Sequence, residues 1–315
     1  MRKKILITGG SGFLGRNLAL KLKNDYDVIL GSRNGKNNMV ASKITGCQSI
    51  ALDVSNIESV RDVIGEINPD IIIHGAATKF VDLSEKYPME TIDINVIGSQ
   101  NIVRVSIEKK IGVVIGISTD KACPPVRNIY GMSKSLMEKM FTLMNGKSIT
   151  KFSVVRYGNV AWSTGSVLPI WDSMHKEKNV IGTTGPDMRR FFFTVENAVE
   201  LVINCMDNIN ICAGKIFSRE MKSAQIRDIL DVWIEMYGGS WNRIDGRPGE
   251  RNDEYLVGET ELDYCKTIDI NGVKHFIISP NDRVNRPLTN IFTSENADRL
   301  SKEEIVGIIK SGKDV

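Results

Sequence analysis

The sequence has no apolar run approaching the roughly 18 residues that a membrane helix requires, so no membrane association is expected. It has little excess charge: 41 basic residues face 38 acidic ones, a net charge of +3. Nucleic-acid binding, which calls for a basic footprint, is not expected either. Cysteine is scarce. The five present (Cys47, Cys123, Cys205, Cys212 and Cys265) are odd in number and show no Cys-x-x-Cys spacing. That argues against a disulfide framework or a bound metal, and for reduced thiols in a cytoplasmic protein. The chain runs directly into a strand-like segment, Lys4–Thr8, so no signal peptide is expected. Internal repeats, low-complexity tracts and Ser/Gly linkers are also missing. What remains, 42% hydrophobic and 25% charged residues over 315 positions, describes an ordinary globular chain with ample apolar surface to bury.

The first 157 residues alternate short apolar runs with longer periodic ones. Lys4–Thr8, Asp27–Ser32, 49–53, 71–75, 113–118 and 151–157 read as buried strands. Between most of them, as at 14–23 and 60–67, apolar residues recur three and four apart, the helical period. Strands interleaved with helices predict an α/β fold: a doubly wound, Rossmann-like parallel sheet with ligands beyond the strands' carboxyl ends. After Tyr157 the pattern loosens, with helices expected at Val195–Asp207, 224–236 and Lys302–Lys310 and a strand at 215–217. Ser301 is placed to cap the last helix. The expected division is a dinucleotide-binding domain, 1–157, carrying the catalytic residues, and a smaller C-terminal substrate-binding lobe, 158–315. Long helical stretches at 88–109 and 128–145 have apolar residues on more than one face, which predicts a homodimer or larger homo-oligomer.

Gly9-Gly10-Ser11-Gly12-Phe13-Leu14-Gly15 follows the first strand after Thr8 and opens the first helix. In that context the glycines permit a tight turn and close approach of a pyrophosphate, and the helix N-terminus offers unpaired N–H groups. An acidic residue ending the second strand would hold a ribose 2′-hydroxyl. The sequence instead has Ser32 and Arg33, with Lys36 close behind, which favours a 2′-phosphate and NADP over a merely solvated basic turn. Asp53 and Val54 fit an adenine contact, Ala76 and Ala77 a close backbone wall, and Tyr157 another strand-end contact with the cofactor.

Tyr130 and Lys134 stand four apart, one helix face if that segment is helical. A lysine beside a phenol would lower its pKa and make Tyr130 a base for a hydroxyl proton. Alone, this spacing also describes an exposed helix pair. Its weight comes from the glycine motif upstream and from Ser118-Thr119-Asp120-Lys121 at the end of the fifth strand.

These residues resemble the extended short-chain dehydrogenase/reductase superfamily, and more closely the UDP-N-acetylglucosamine 4,6-dehydratases of the capsule and flagellin-glycan group. The resemblance rests on Ile117-Ser-Thr-Asp-Lys-Ala122, Tyr130 to Lys134, Arg156-Tyr-Gly-Asn-Val160, Gly165-Ser-Val-Leu-Pro169, Arg190-Phe191 and Arg247-Pro-Gly-Glu250. It implies oxidation at C4, proton removal at C5, loss of the C6 hydroxyl as water and return of hydride to C6. In that scheme Lys121, with a lowered pKa, is the C5 base. Asp120, kept protonated by desolvation, is the acid, and Thr119 holds the C4 oxygen. A surface ion pair is the alternative for Asp120 and Lys121. Carried over in the same way, Asn159, Ser166 and Val167 lie near the sugar diphosphate, Lys79 faces the substrate pocket, Arg190 and Arg247 bind diphosphate and nucleoside, and Glu250 lies near the ribose, with a solvated charge as the alternative for each charged group.

The chain departs from the group's pattern at four places. One extra residue separates Asp120 from Tyr130, Phe80 replaces a histidine, Trp162-Ser163-Thr164 replaces a segment usually ending in arginine, and Arg189 precedes Arg190. These changes leave another nucleotide, such as GDP, or another amino sugar as alternatives in the substrate; the rival readings are nucleotide-sugar 4-epimerisation, which shares every part except a need for Asp120 and Lys121, and an NADP-binding regulator that is not an enzyme.

Overall fold

The computed structural model describes residues 2–246 and 249–312. Strands β1 (Lys4–Thr8), β2 (Asp27–Ser32), β3 (Gln48–Ala51), β4 (Ile71–His74), β5 (Val113–Ile117) and β6 (Lys151–Val155) lie parallel in the order β3-β2-β1-β4-β5-β6. The chain leaves β1 toward one side of the sheet and returns on its other side at β4. Connections therefore diverge above the carboxyl ends of these two strands and open a crevice there.

The sheet extends beyond β6 with residues from the second half of the chain. Ile216–Arg219 pairs parallel with β6, and the hairpin Cys265–Ile270 and Val273–Ile278 adds antiparallel strands to make nine. The strand expected at 215–217 is found at Ile216–Arg219; the hairpin is not among the expected elements, although its Asn271-Gly272 turn, with φ of 54° and 77°, is a strong hairpin signal.

Alternation along the strands divides the core. Ile5 and Ile7 face the helices Phe13–Leu22 and Val195–Asp207, while Leu6 and Ile72 face Ile57–Ile67 and Gly98–Glu108. A separate apolar cluster, including Leu168, Trp171, Phe192, Trp233 and Ile308, builds the second lobe.

Local chemistry sets several helix ends. The Asn56 side chain accepts from the N–H groups of Glu58 and Ser59, and Thr194 accepts from Asn197. Ser301 caps Lys302–Lys310, as the sequence leads one to expect, and Glu304 completes a reciprocal capping box with it. The helix expected at 224–236 begins later, at Ile226, and ends at Tyr237. Ser223–Gln225 is withheld from it because these residues pair antiparallel with Arg189–Phe193.

The stretch 88–109 is interrupted. Helices Pro88–Thr91 and Gly98–Glu108 flank a wider π turn at Ile92–Ile97. Asn95 within that turn is fully buried; its amide bonds both backbone groups of Thr78 at 2.8 and 2.9 Å and Ser133 Oγ at 2.9 Å. The irregular turn thereby ties the loop after β4 to the helix Ile129–Met144.

Candidate active site

A cavity of about 840 Å³ runs above the carboxyl ends of the sheet and under the second lobe. At one end it is lined by Thr8, Gly9, Gly12, Phe13, Leu14 and Gly15. Gly9 has φ +69°, and a Cβ there would stand 2.8 Å from the Ala76 nitrogen. Only glycine permits this turn so close to the loop after β4. Gly12 caps the helix Phe13–Leu22 without any side-chain hydrogen bond, so its first N–H groups remain open to a ligand.

Ser32, Arg33, Asp53, Val54, Ala76, Ala77 and Tyr157 continue the lining. The Ser32 hydroxyl oxygen accepts from the Ser11 N–H at 3.0 Å and keeps its own proton for donation. Asp53 Oδ1 accepts from both the backbone and the hydroxyl of Ser55, which orders the loop after β3. Lys36 is exposed in the first turn of the helix Gly35–Thr45 and is not part of the lining. Asn34 and Asn37 line the edge instead.

Thr119, Lys121, Tyr130 and Lys134 occupy the middle of the cavity, and Asp120 lies fully buried behind them. The helix Ile129–Met144 presents Tyr130 and Lys134 one turn apart. It approaches the turn Asp120–Ala122 so closely that a Cβ on Gly131 would be 2.2 Å from the Lys121 carbonyl oxygen. Only a glycine at that position lets the two segments touch.

Lys121 Nζ donates to Asp120 Oδ1 at 3.1 Å and to Asn159 Oδ1 at 3.5 Å. Thr119 Oγ1 also donates to Asp120 Oδ1, at 2.9 Å, while Asp120 Oδ2 is buried with no hydrogen-bond partner among the described residues. Burial raises the Asp120 pKa; Lys121 opposes that shift and Glu254 adds to it. A raised pKa is the direction that an acid at this position requires.

Two electrostatic expectations are corrected. Burial favours a neutral Lys121, but the carboxylates of Asp120 and Glu254 outweigh it and raise the Lys121 pKa. Lys134 donates to the Ile117 carbonyl at 2.7 Å, and burial lowers its pKa to about 8 against the pull of Glu138. The Tyr130 phenol is not lowered: burial pushes it up to about 12, with Lys121 acting in opposition. Lys121 thus opposes the rise at Tyr130, while Lys134 is turned toward the backbone.

The far end of the cavity brings together Lys79, Asn159, Ser166, Val167, Arg190 and Glu250. Burial lowers the pKa of Lys79, and Glu250 accepts from the Thr184 hydroxyl at 3.0 Å. A second helix, Val167–Lys178, opens here behind Ser166, again with no side-chain cap. One cavity thus receives two uncapped helix N-termini, a physical match to two phosphorylated ligands. Arg247 lies outside the described residues.

Three departures from the group's pattern acquire structural explanations. Arg189 forks onto Asp253 at 2.6 and 2.7 Å and reaches Glu295 at 3.0 Å, so the extra arginine braces the lobe. The Trp162 indole donates to the Ile308 carbonyl at 2.8 Å and packs near Trp233. The Phe80 ring occupies the space a side chain at Gly165 would need.

Sequence reasoning missed Glu254. It is 3% exposed, lines the cavity and places Oε1 3.5 Å from Lys121 Nζ. Its one signal was an acidic residue just beyond Glu250, with no spacing that ties it to a segment 133 positions earlier.

The family described as polysaccharide biosynthesis protein matches residues 5–275. The chain is 33% identical to an uncharacterized membrane protein of Methanocaldococcus jannaschii, over 98% of its own length and 95% of that protein. It is 32% identical to UDP-glucose 4-epimerase of Rickettsia bellii, over 96% and 94% of the two chains. Among solved structures, Pen from Bacillus thuringiensis aligns with a TM-score of 0.89 at 28% identity, covering 100% of this chain and 98% of that one. With its sheet order and glycine-opened crevice, the chain belongs to the polysaccharide biosynthesis protein family, within the extended short-chain dehydrogenase/reductase superfamily.

Proposed function

We propose that the protein is an NADP-dependent nucleotide-sugar 4,6-dehydratase that converts UDP-N-acetylglucosamine to a 4-keto-6-deoxy product for surface glycan biosynthesis. The observation that carries this reading is the desolvated Asp120 with a free carboxyl oxygen, bonded to Lys121 on the wall that also holds Tyr130. Hydride transfer alone has no need of that pair. Elimination of water needs both an acid and a base.

The cofactor end fits NADP. Its helix N-terminus is open to a pyrophosphate, and Ser32 and Arg33 stand where a 2′-phosphate would be recognised. Bound NADP would supply the hydride acceptor for C4 and the hydride donor for C6. Tyr130 takes the C4 hydroxyl proton, and Thr119 holds that oxygen. Lys121 removes the C5 proton, and Asp120 protonates the departing C6 hydroxyl, which leaves as water. Lys121 then returns a proton to C5. Residues 1–157 carry the cofactor and these groups, while 158–315 bind the nucleotide sugar, with Arg247 assigned to its phosphates or nucleoside.

A 4-epimerase is the second reading, favoured by the Rickettsia relatives that bear that name. Mass spectrometry after incubation with UDP- or GDP-N-acetylglucosamine separates the readings. A product lighter by one water marks a dehydratase, unchanged mass with a new sugar an epimerase, and an unaltered substrate a non-catalytic NADP binder.

No described helix is long and apolar enough to cross a membrane, and a cytoplasmic location is part of this proposal. So is a homodimer or larger homo-oligomer. Met132, Leu136 and Leu143 are about half exposed along the helix Ile129–Met144. Light scattering at micromolar concentration should give at least twice the monomer mass.

A further inference from the structure

Glu254 comes from a segment remote in sequence, yet it is held as firmly as any group in the cavity. Its backbone exchanges hydrogen bonds with Ser294, at 3.0 Å to the hydroxyl and 2.8 Å from the Ser294 N–H. Its Oε2 accepts from Arg251 Nε at 2.7 Å. Arg251 is itself buried, anchored on the Pro125 carbonyl at 3.1 Å and stacked on Tyr255. One carboxyl oxygen is thus committed to the scaffold. The other, Oε1, is directed toward Lys121 Nζ at 3.5 Å, with Arg190 Nε at 3.9 Å.

Lys121 consequently lies between two carboxylates with different environments. Burial raises both acids, but Lys121, Arg190 and Arg251 outweigh it at Glu254 and hold that group below its ordinary value. Asp120 stays raised. Opposite displacements in one site separate an ionised partner from a proton carrier. The groups facing Lys121 are Asp120 on its own turn, Tyr130 on the neighbouring helix, Arg190 on the strand Arg189–Phe193, and Glu254.

We propose that Glu254 is a positioning residue that aims Lys121 at the substrate and stabilises the positive charge Lys121 acquires when it takes the C5 proton. The inference rests on the dehydratase reading. In the step concerned, the C5–H bond breaks, its electron pair passes into the C4 ketone as an enolate, and the proton forms a new N–H bond. Only the deprotonated fraction of Lys121, small because its pKa is raised, can take this proton, and it becomes an ammonium beside a carboxylate that is already ionised. That interaction is stronger after proton transfer than before it, which is the condition for lowering a barrier. Asp120 is left free to give its proton to the C6 oxygen.

The test is C5 exchange in deuterated water, followed by NMR across pH, with cofactor reduction by stoichiometric substrate as the control. Glu254→Gln retains an oxygen for Arg251 and removes the charge. It should reduce cofactor as fast as the unaltered enzyme within about twofold, yet on the high-pH plateau, where Lys121 is neutral in both, exchange C5 at least tenfold more slowly. The rising limb of its exchange profile should move to lower pH, because Lys121 loses a carboxylate that raises its pKa. Glu254→Asp keeps the charge but draws it back; its exchange should be slowed with the limb in place. Unchanged exchange and an unmoved limb in Glu254→Gln overturn the proposal. If that variant does not fold, unaltered exchange in Glu254→Asp overturns it instead. An unaltered enzyme that reduces cofactor but never exchanges C5 would sink the dehydratase reading itself, a result distinct from failure at Glu254.

Discussion

The two ends of the cavity are built differently. The cofactor end comes from consecutive strand ends, and its shape depends on short contacts such as Gly9 against Ala76. The reacting end gathers Asp120, Tyr130, Asn159, Arg190 and Glu254 from five separate segments, and its behaviour depends on charges set against burial. A local motif suffices to bind a pyrophosphate, because a helix N-terminus is one continuous piece of chain. Moving protons in opposite directions requires groups with different surroundings, which one segment rarely supplies.

The largest effect is expected where the two ends meet. Tyr130→Phe should lower cofactor reduction by substrate about 10³-fold, within the range for loss of a general base, while dinucleotide binding is retained. Stopped-flow absorbance with stoichiometric nucleotide sugar checks it; reduction at a normal rate would remove Tyr130 from the first step.

The reacting end should then divide into separable steps. Lys121→Met should still form reduced cofactor and a 4-keto sugar that retains its C6 oxygen, with C5 exchange lost. Asp120→Asn should keep C5 exchange but lose water about 10²-fold more slowly. If Lys121→Met binds substrate and reduces no cofactor, that division fails.

A smaller effect isolates the cofactor end. Arg33→Ala should weaken NADP about tenfold, the loss of one charge-assisted phosphate contact, and leave NAD unchanged. Equal affinity of the unaltered protein for both dinucleotides, by fluorescence titration, would refute the 2′-phosphate assignment.

A further effect, on stability and not on binding or turnover, lies beneath the boundary. His74 is fully buried, with Nδ1 2.8 Å from Thr8 Oγ1 and Nε2 3.1 Å from Ser99 Oγ. Burial, with Lys134 nearby, lowers its pKa to about 3 from 6.5. A depressed value stabilises the fold above pH 6.5, and that contribution falls by about 1.4 kcal/mol per pH unit as the pH drops toward 3. Denaturant midpoints measured from pH 7.5 to 5 should therefore decline less steeply in His74→Asn. Parallel curves would show that His74 does not govern acid sensitivity.

Much of the sheet could be read before the structure, since a strand buried on both faces leaves an apolar run bounded by turn residues. The segment at 223–225 misled for a comparable reason: its apolar neighbours suit a helix, and only pairing with Arg189–Phe193 makes it a strand. In the site, most residues carried by contiguous motifs line the cavity, while Asp120 is buried behind its wall and Lys36 is exposed in the first turn of the helix Gly35–Thr45.

The sequence by itself determined the strand–turn–helix at Gly9–Gly15, the placing of Tyr130 and Lys134 on one helix face, and the capping of the last helix by Ser301. Each depends on residues within a few positions of one another, where backbone geometry leaves little choice. Tertiary structure alone decided that Lys134 bonds the Ile117 carbonyl, that Lys121 opposes the rise at Tyr130, and that Glu254 completes the group around Lys121. Those outcomes depend on burial and on charges brought within a few ångströms from distant segments, and neither quantity exists until the chain has folded.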